Sequence, residues 1–139
     1  MEIREFDLDR DYAAALALWQ AAGPGVHVGQ SDTREEIAKK LAHDPDLCLV
    51  AEEDGRVVGT VLGGFDGRRG LVYHLAVASP HRGKGLGRAL MLEQEARFRA
   101  KGCLKYYLLI TAENHDVVDF YLRLGWSRMP VEIMTKELG

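Results

Sequence analysis

The amino-acid sequence predicts an α/β fold of the α+β kind, one mixed sheet of six strands with four helices. Three observations carry that reading. Apolar residues alternate with polar ones in some segments and recur at three- and four-residue spacing in others, so strands and helices share the chain. Asp54-Gly55 between two apolar runs is a hairpin signal, which makes part of the sheet antiparallel. Residues 71–110 then run strand, helix, strand, the pattern of a parallel crossover.

Glu2 to Phe6 alternates and forms the first strand, and the helix after it carries Leu8, Tyr12, Leu16 and Trp19 on one face. Residues 21–31, AAGPGVHVGQS, lack periodicity and form a glycine-rich loop. Thr33 with Glu36 makes a capping box that opens a second helix through Lys40. LCLVAEEDGRVVGTVLGGF places strands at 47–53 and 56–65, and DGRRG turns the chain into LVYHLAV at 71–77. In DGRRG, Arg68 and Arg69 read as part of a solvated turn. The long helix after the next glycines ends near Lys101, where Arg97, Arg99 and Lys101 complement the dipole and Gly102 supplies a left-handed cap. Glu93 falls within its stripe of Leu86, Ala89 and Leu90, so that face is partly exposed or meets a polar group. YYLLI at 106–110 is the next strand, and Asn114 caps a helix that reaches Leu124 and stops at Gly125. Residues 131–137 form a final strand.

At 139 residues and 15.5 kDa the chain has the size of one domain, residues 1–139, without repeat or linker. Its 47% hydrophobic and 28% charged residues are ordinary for a soluble domain. A net charge of -3 gives no overall pull toward nucleic acid or an acidic membrane, so an anionic ligand must be held by a local patch. No apolar run approaches the ~18 residues of a membrane span, and MEIREFDLDR has no basic leader, so the expectation is a cytoplasmic protein. Cys48 and Cys103 sit in apolar surroundings with no Cys or His at ligand spacing, which predicts buried packing and no metal site.

The segment HRGKGLGRAL, residues 81–90, combines three glycines with Arg82, Lys84 and Arg88 at the start of a helix. A plain corner gains nothing from those cations, whereas bare amides at a helix N-terminus together with positive charge suit a phosphate ester. The Walker pattern GxxxxGK[ST] is absent, and Gly83-x-Gly85-x-x-Arg88 and Gly85-x-Gly87-x-x-Leu90 both lack the third glycine of the dinucleotide fingerprint.

Arg82-x-x-Gly85-x-Gly87 resembles the acyl-CoA pyrophosphate loop [QR]-x-x-G-x-[GA] of the Gcn5-related N-acetyltransferase (GNAT) superfamily. The element order is similar to that family's, and Asn114 followed by Phe120-Tyr121-x-x-Leu124-Gly125-Trp126 resembles its second signature. HDPDLCLVAEEDGRVVGTVLGGFDGRRG is similar in wording to the small bacterial YpeA-like acetyltransferases. The resemblance implies a six- to seven-stranded sheet with two splayed parallel strands, and transfer of the acetyl group of acetyl-CoA to a primary amine within a ternary complex. It implies that the N–H groups of Leu75, Ala76 and Val77 align the donor, with Leu75 polarising the thioester. It further implies that Arg82, Gly83, Lys84, Gly85, Leu86, Gly87 and Arg88 hold the pyrophosphate, and that the Tyr121 hydroxyl lies near the sulfur.

A phenol of pKa ~10 can protonate a departing thiolate while staying neutral itself. Helical spacing with Val117, Phe120 and Leu124 also allows Tyr121 to be only core, and Asn114 to be a cofactor contact or only a cap. The general base is open. Leu71 and Leu109 stand where many relatives carry glutamate; Tyr73 shares a face with Leu71 and Leu75 by alternation, and His74 points the other way. Glu113, Glu52, His27 and solvent are further candidates. The rival reading is a weakly catalytic acyl-CoA-binding sensor, supported by the missing carboxylates at 71 and 109. The acceptor, a small molecule or a peptide N-terminus, is unsigned by any motif, and pairing into a homodimer stays open.

Overall fold

The computed structural model describes residues 1–139. Strands β1 (Glu2–Glu5), β2 (Cys48–Glu53), β3 (Arg56–Phe65), β4 (Gly70–Val77) and β5 (Tyr106–Leu108) form one sheet, ordered as they occur in the chain. Pairing is antiparallel from β1 through β4 and parallel between β4 and β5, the mixed topology expected. Helices α1 (Leu8–Ala21) and α2 (Arg34–His43) cover one face, α3 (Leu86–Ala100) covers the other, and α4 (Val118–Arg123) follows β5.

Local signals act where they were read. Asp54 and Gly55 both take positive φ, 52° and 75°, as a two-residue hairpin of the I′ kind requires. Asp7 accepts the Arg10 N–H at the start of α1, and Thr33 accepts the Glu36 N–H at the start of α2. Gly102 and Gly125, at φ 83° and 92°, follow the ends of α3 and α4.

Alternation along β2 divides the core in two. Leu47, Leu49 and Ala51 join Val58, Val61 and Val72 beneath Leu86, Leu90, Met91 and Phe98 of α3. Cys48 and Val50 join Leu62 and Ala76 beneath Ala15 and Trp19 of α1 and Ile37 of α2. Burial at about 25 cal/mol per Å² makes these two clusters the main source of stability.

Four expectations are corrected. The sheet has five strands: residues 126–139 form no strand, β5 offers only three residues of ladder, and Pro130 lacks an N–H where a sixth strand would begin. Asn114 does not cap α4; it lies inside a 3₁₀ segment, Ala112–Val117, with φ -105° and ψ 28°, and α4 starts after it. The polar residue in the α3 stripe is Gln94, fully buried and donating to the Leu47 carbonyl at 2.9 Å, whereas Glu93 turns to Arg97 at 3.0 Å. α2 runs past Lys40 to His43, whose neighbours Lys40 and Asp44 close its last turn at 2.7 Å.

Gly63 on β3 leaves the space that Gln94 uses: a Cβ there would stand 1.9 Å from Gln94 Nε2 and 3.1 Å from Phe98 Cζ. Gly63→Ala is therefore expected to destabilise the fold by about 1–3 kcal/mol through overpacking, read as a lower urea midpoint with an unchanged slope. A midpoint equal to that of the parent would show that Gln94 moves aside without loss.

Candidate functional site

β4 and β5 pair only at Gly70↔Tyr106, Leu71↔Tyr107 and Val72↔Leu108. Beyond Val72, β4 continues to Val77 with no partner on the β5 side, so the two parallel strands splay as expected. A bulge accompanies the splay. Thr60 pairs with Ala76 and Leu62 with Tyr73, so β4 holds one residue more than β3 across this interval. The extra residue shows in burial: Val72 packs under α3 and Ala76 under α1, although strict alternation would put both on one face.

His74 carries the bend with φ 53°, a left-handed conformation that costs a side-chain-bearing residue about 1–3 kcal/mol. Three elements hold it. The His74 carbonyl accepts from Thr60 Oγ1 at 2.8 Å, and Thr60 Oγ1 accepts from Trp19 Nε1 at 2.9 Å. On the ring side, His74 Nε2 and Asp32 Oδ1 lie 2.6 Å apart, and the ring packs 4.8 Å from that of Trp19. Asp32 is itself fixed, accepting the Gly29 N–H at 3.0 Å through Oδ2 and the Tyr12 hydroxyl at 2.7 Å through its carbonyl. At about 1 kcal/mol net per hydrogen bond, these contacts are enough to offset the strain. The faces read from alternation are corrected accordingly: Tyr73 and His74 lie on the α1/α2 side, and Leu75 lies on the α3 side.

The carboxyl end of β4 runs into the glycine turn. Arg82 Nε donates to the Val77 carbonyl at 3.0 Å, tying the loop to the strand end. Gly83 and Gly85 have φ 77° and 83°, with open space where side chains would project. Gly85 is the N-cap residue of α3 but offers no capping side chain, and the first turn of α3 holds no acid. The leading amides of a 15-residue helix are thus free of protein partners and face outward beside the exposed Lys84 and Arg88. Gly87 sits against Phe120, whose Cζ would stand 3.4 Å from an added Cβ. Such a terminus fits a phosphate group.

Tyr121 packs within the α3-side cluster, with ring centroids 5.0 Å from Phe120 and 5.8 Å from Trp126. Burial pushes its phenol up to about 12. Asn114 packs against the α1–α2 loop, its Nδ2 standing 2.8 Å from where a Cβ on Gly25 would lie. Nearby, Thr111 Oγ1 donates to the Pro24 carbonyl at 3.2 Å, so the β5 exit and the α1–α2 loop are joined across the splay.

The candidate bases separate on geometry. Leu71 and Leu109 are exposed and carry no proton-moving group. Glu52 is removed by sheet order: β2 is two strands from β4, and its carboxylate is taken by Arg4 at 2.7 Å and Arg10 at 2.9 Å. Burial raises Tyr73 well above the usual phenol range, so it cannot act as a base near neutral pH. Glu113 is exposed and held below the usual carboxylate range by its own backbone N–H and the Thr111 hydroxyl. His27 is exposed on the α1–α2 loop. Burial pushes the Cys48 thiol up to about 11, in keeping with packing instead of reactivity. No three His, Cys, Asp or Glu side chains converge as a metal cluster, and no helix is long and apolar enough to cross a membrane.

Sequence reading had no access to Asp32, Thr60 or Trp19 as parts of this region. Their bonds to β4 or to one another join residues 14, 41 and 42 positions apart, and no local pattern marks them.

Comparison with known proteins agrees with this geometry. The chain is 38% identical over 138 residues to an acetyltransferase of Pectobacterium atrosepticum, covering 99% of this chain and 96% of that protein. Among solved structures it matches the glucosamine-6-phosphate N-acetyltransferase of Arabidopsis thaliana, with TM-score 0.74 at 19% identity over 97% of both chains. It also matches a predicted acetyltransferase from Clostridium acetobutylicum solved with acetyl-CoA, with TM-score 0.74 at 15% identity over 97% and 95% of the two chains. At those identities the structures speak for the fold alone. The acetyltransferase (GNAT) family model matches residues 12–126, most of the chain, from within α1 to beyond the end of α4, and the protein belongs to that family of acetyltransferases.

Proposed function

We propose that the protein transfers the acetyl group of acetyl-CoA to a primary amine by direct attack, with donor and acceptor bound together. The observation that carries this reading is the uncapped N-terminus of α3, set at the end of the one strand that leaves its parallel neighbour. Membership of the acetyltransferase family supports the choice of donor, and a predicted acetyltransferase of this fold is solved with acetyl-CoA.

The chain's residues divide the work. The amides from Gly83 to Arg88 bind the pyrophosphate, with the outer nitrogens of Arg82 and the charges of Lys84 and Arg88 around it. Leu75, Ala76 and Val77 present the β5-side edge of β4 to the pantetheine arm, and the Leu75 N–H polarises the acyl carbonyl as a preorganised donor. Bound acetyl-CoA supplies an acetyl group already activated as a thioester, so no covalent protein intermediate is required. Tyr121 holds a proton for the departing thiolate. Asn114 keeps the α1–α2 loop against the mouth of the splay beside the donor. The amine enters as its free base and gives its proton to solvent, so turnover rises with pH toward the amine's own pKa, about 8 for an α-amine and about 10 for an alkylamine.

Gly85→Asp is expected to weaken coenzyme A binding by about tenfold or more in calorimetry, because it places a carboxylate before the α3 amides. Asp is among the side chains that tolerate positive φ, so the thermal midpoint should stay near that of the parent. Unchanged affinity would remove the loop from the donor site. Tyr121→Phe is expected to lower kcat by about a hundredfold with little change in coenzyme A affinity.

The raised phenol pKa also has a sign. The neutral acid persists above its ordinary range, so the parent's kcat should show no descending limb from Tyr121 up to about pH 10. A limb near pH 8 that disappears in Tyr121→Phe would contradict this.

A further inference from the structure

A cavity of about 490 Å³ opens on the α1/α2 face, between the end of α2, the β3–β4 turn and the start of β5. Leu71, Tyr73, Arg69 and Tyr107 line it together with Lys40 and Asp44. Its charges are unequally satisfied. Lys40 Nζ lies 2.7 Å from Asp44 Oδ2, and His43 Nδ1 reaches the same oxygen at 2.7 Å, so these three groups answer one another. Asp66 accepts the backbone N–H groups of Arg68 and Arg69 through Oδ1, at 2.7 and 2.8 Å.

Arg69 is different. Three arginines are half-buried: Arg4 is paired with Asp11 and Glu52, Arg97 is paired with Glu5 and Glu93, and Arg69 has no carboxylate within 4.0 Å. Its single side-chain bond runs from Nε to the Tyr107 hydroxyl, at 3.1 Å. That bond fixes the guanidinium plane and leaves the outer nitrogens free toward the cavity, the arrangement that binds an oxyanion through two parallel hydrogen bonds. The solvated turn expected for Arg69 is therefore only half right: Arg68 is exposed and Arg69 folds back.

We propose that Arg69 recognises an anionic group at the far end of the amine acceptor, a carboxylate or a phosphate ester. The proposal rests on the acetyltransferase reading above. The donor loop and Tyr121 belong to the α3 side, so an acceptor reaches the acyl group from the opposite face, where this cavity lies. Leu71 and Tyr73 form an apolar floor between Arg69 and the bulge. The guanidinium is held by Tyr107, the cross-strand partner of Leu71, so at about 3.3 Å per strand residue the four steps along β4 from Leu71 to Leu75 set a spacing on the order of 10 Å between anion and amine. The acceptor is then an extended amine with an apolar middle and an acidic terminus.

The test compares matched amines with acetyl-CoA, following thiol release: ω-aminohexanoate and ω-aminooctanoate against hexylamine and octylamine, with the corresponding aminoalkyl phosphates as a separate arm. The parent should favour the anionic member of a pair in kcat/KM by about tenfold to a hundredfold, and the better of the two anionic series identifies the group. Arg69→Gln should bring the ratio to about one, through KM, and Arg69→Glu should invert it in favour of the diamine of the same length. Tyr107→Phe, which keeps the ring and removes the bond to Nε, should reduce the preference severalfold. Turnover without preference in the parent, or a preference that survives Arg69→Gln, overturns the subsite and leaves the enzyme reading intact. Release of no thiol with any amine overturns both.

Discussion

One residue in the left-handed region, His74 in the middle of β4, is the constraint on which the other parts of the site depend. Its bend inserts an extra position into β4, carries Leu75 and Val77 to the α3 side, and coincides with the point where β5 stops pairing. An unsupported bend of this kind would relax into a regular ladder, because the strain exceeds what one neutral hydrogen bond returns. Support comes from α1 through Trp19 and Thr60, and from the α1–α2 loop through Asp32. The core face formed by α1 and α2 is thus part of the site's geometry as well as its foundation.

Electrostatics follow the same economy of placement. The chain carries a net charge of -3, yet the end of β4 meets a helix terminus with free amides and three basic side chains. Local field, not net charge, decides where an anion settles, since screening at physiological salt limits reach to about 8 Å. Among the buried groups the phenols and the thiol stay neutral, since desolvation raises Tyr73, Tyr121 and Cys48 alike, whereas Asp11 and Asp44 stay ionised against Arg4 and Lys40. A buried phenol held neutral keeps its proton across neutral pH and is unsuited to acting as a base there. The carboxylates that could take one are committed elsewhere, Glu52 to Arg4 and Arg10, Asp44 to Lys40 and His43, and Asp32 to His74.

Much of this was legible in the chain because it is written in neighbouring residues. Asp54-Gly55 specifies its hairpin through two positive φ angles, and Thr33 specifies a helix start through one side-chain bond three residues on. The glycine turn at 83–87 announces free amides because small residues at a strand-to-helix junction leave nothing to cap them. Asn114 misled for an instructive reason: an asparagine before an apolar run suits a cap, but here it lies inside a 3₁₀ segment and its side chain packs beside Gly25. The last strand failed similarly, since apolar residues at 131–137 supply a pattern without a partner ladder long enough to hold it.

By itself the sequence determined the order of the elements, the hairpin half and crossover half of the sheet, and the location of the glycine turn that leads into α3. Only the tertiary structure decided which face each β4 residue takes after Val72, which carboxylate holds His74, and that Arg69 turns inward beside Tyr107. The physical reason is range. Periodicity assigns faces only while each residue adds one pleat, and a single left-handed residue shifts the count for all that follow. What stabilises that residue reaches it from 14 and 42 positions away, where no local pattern can record it.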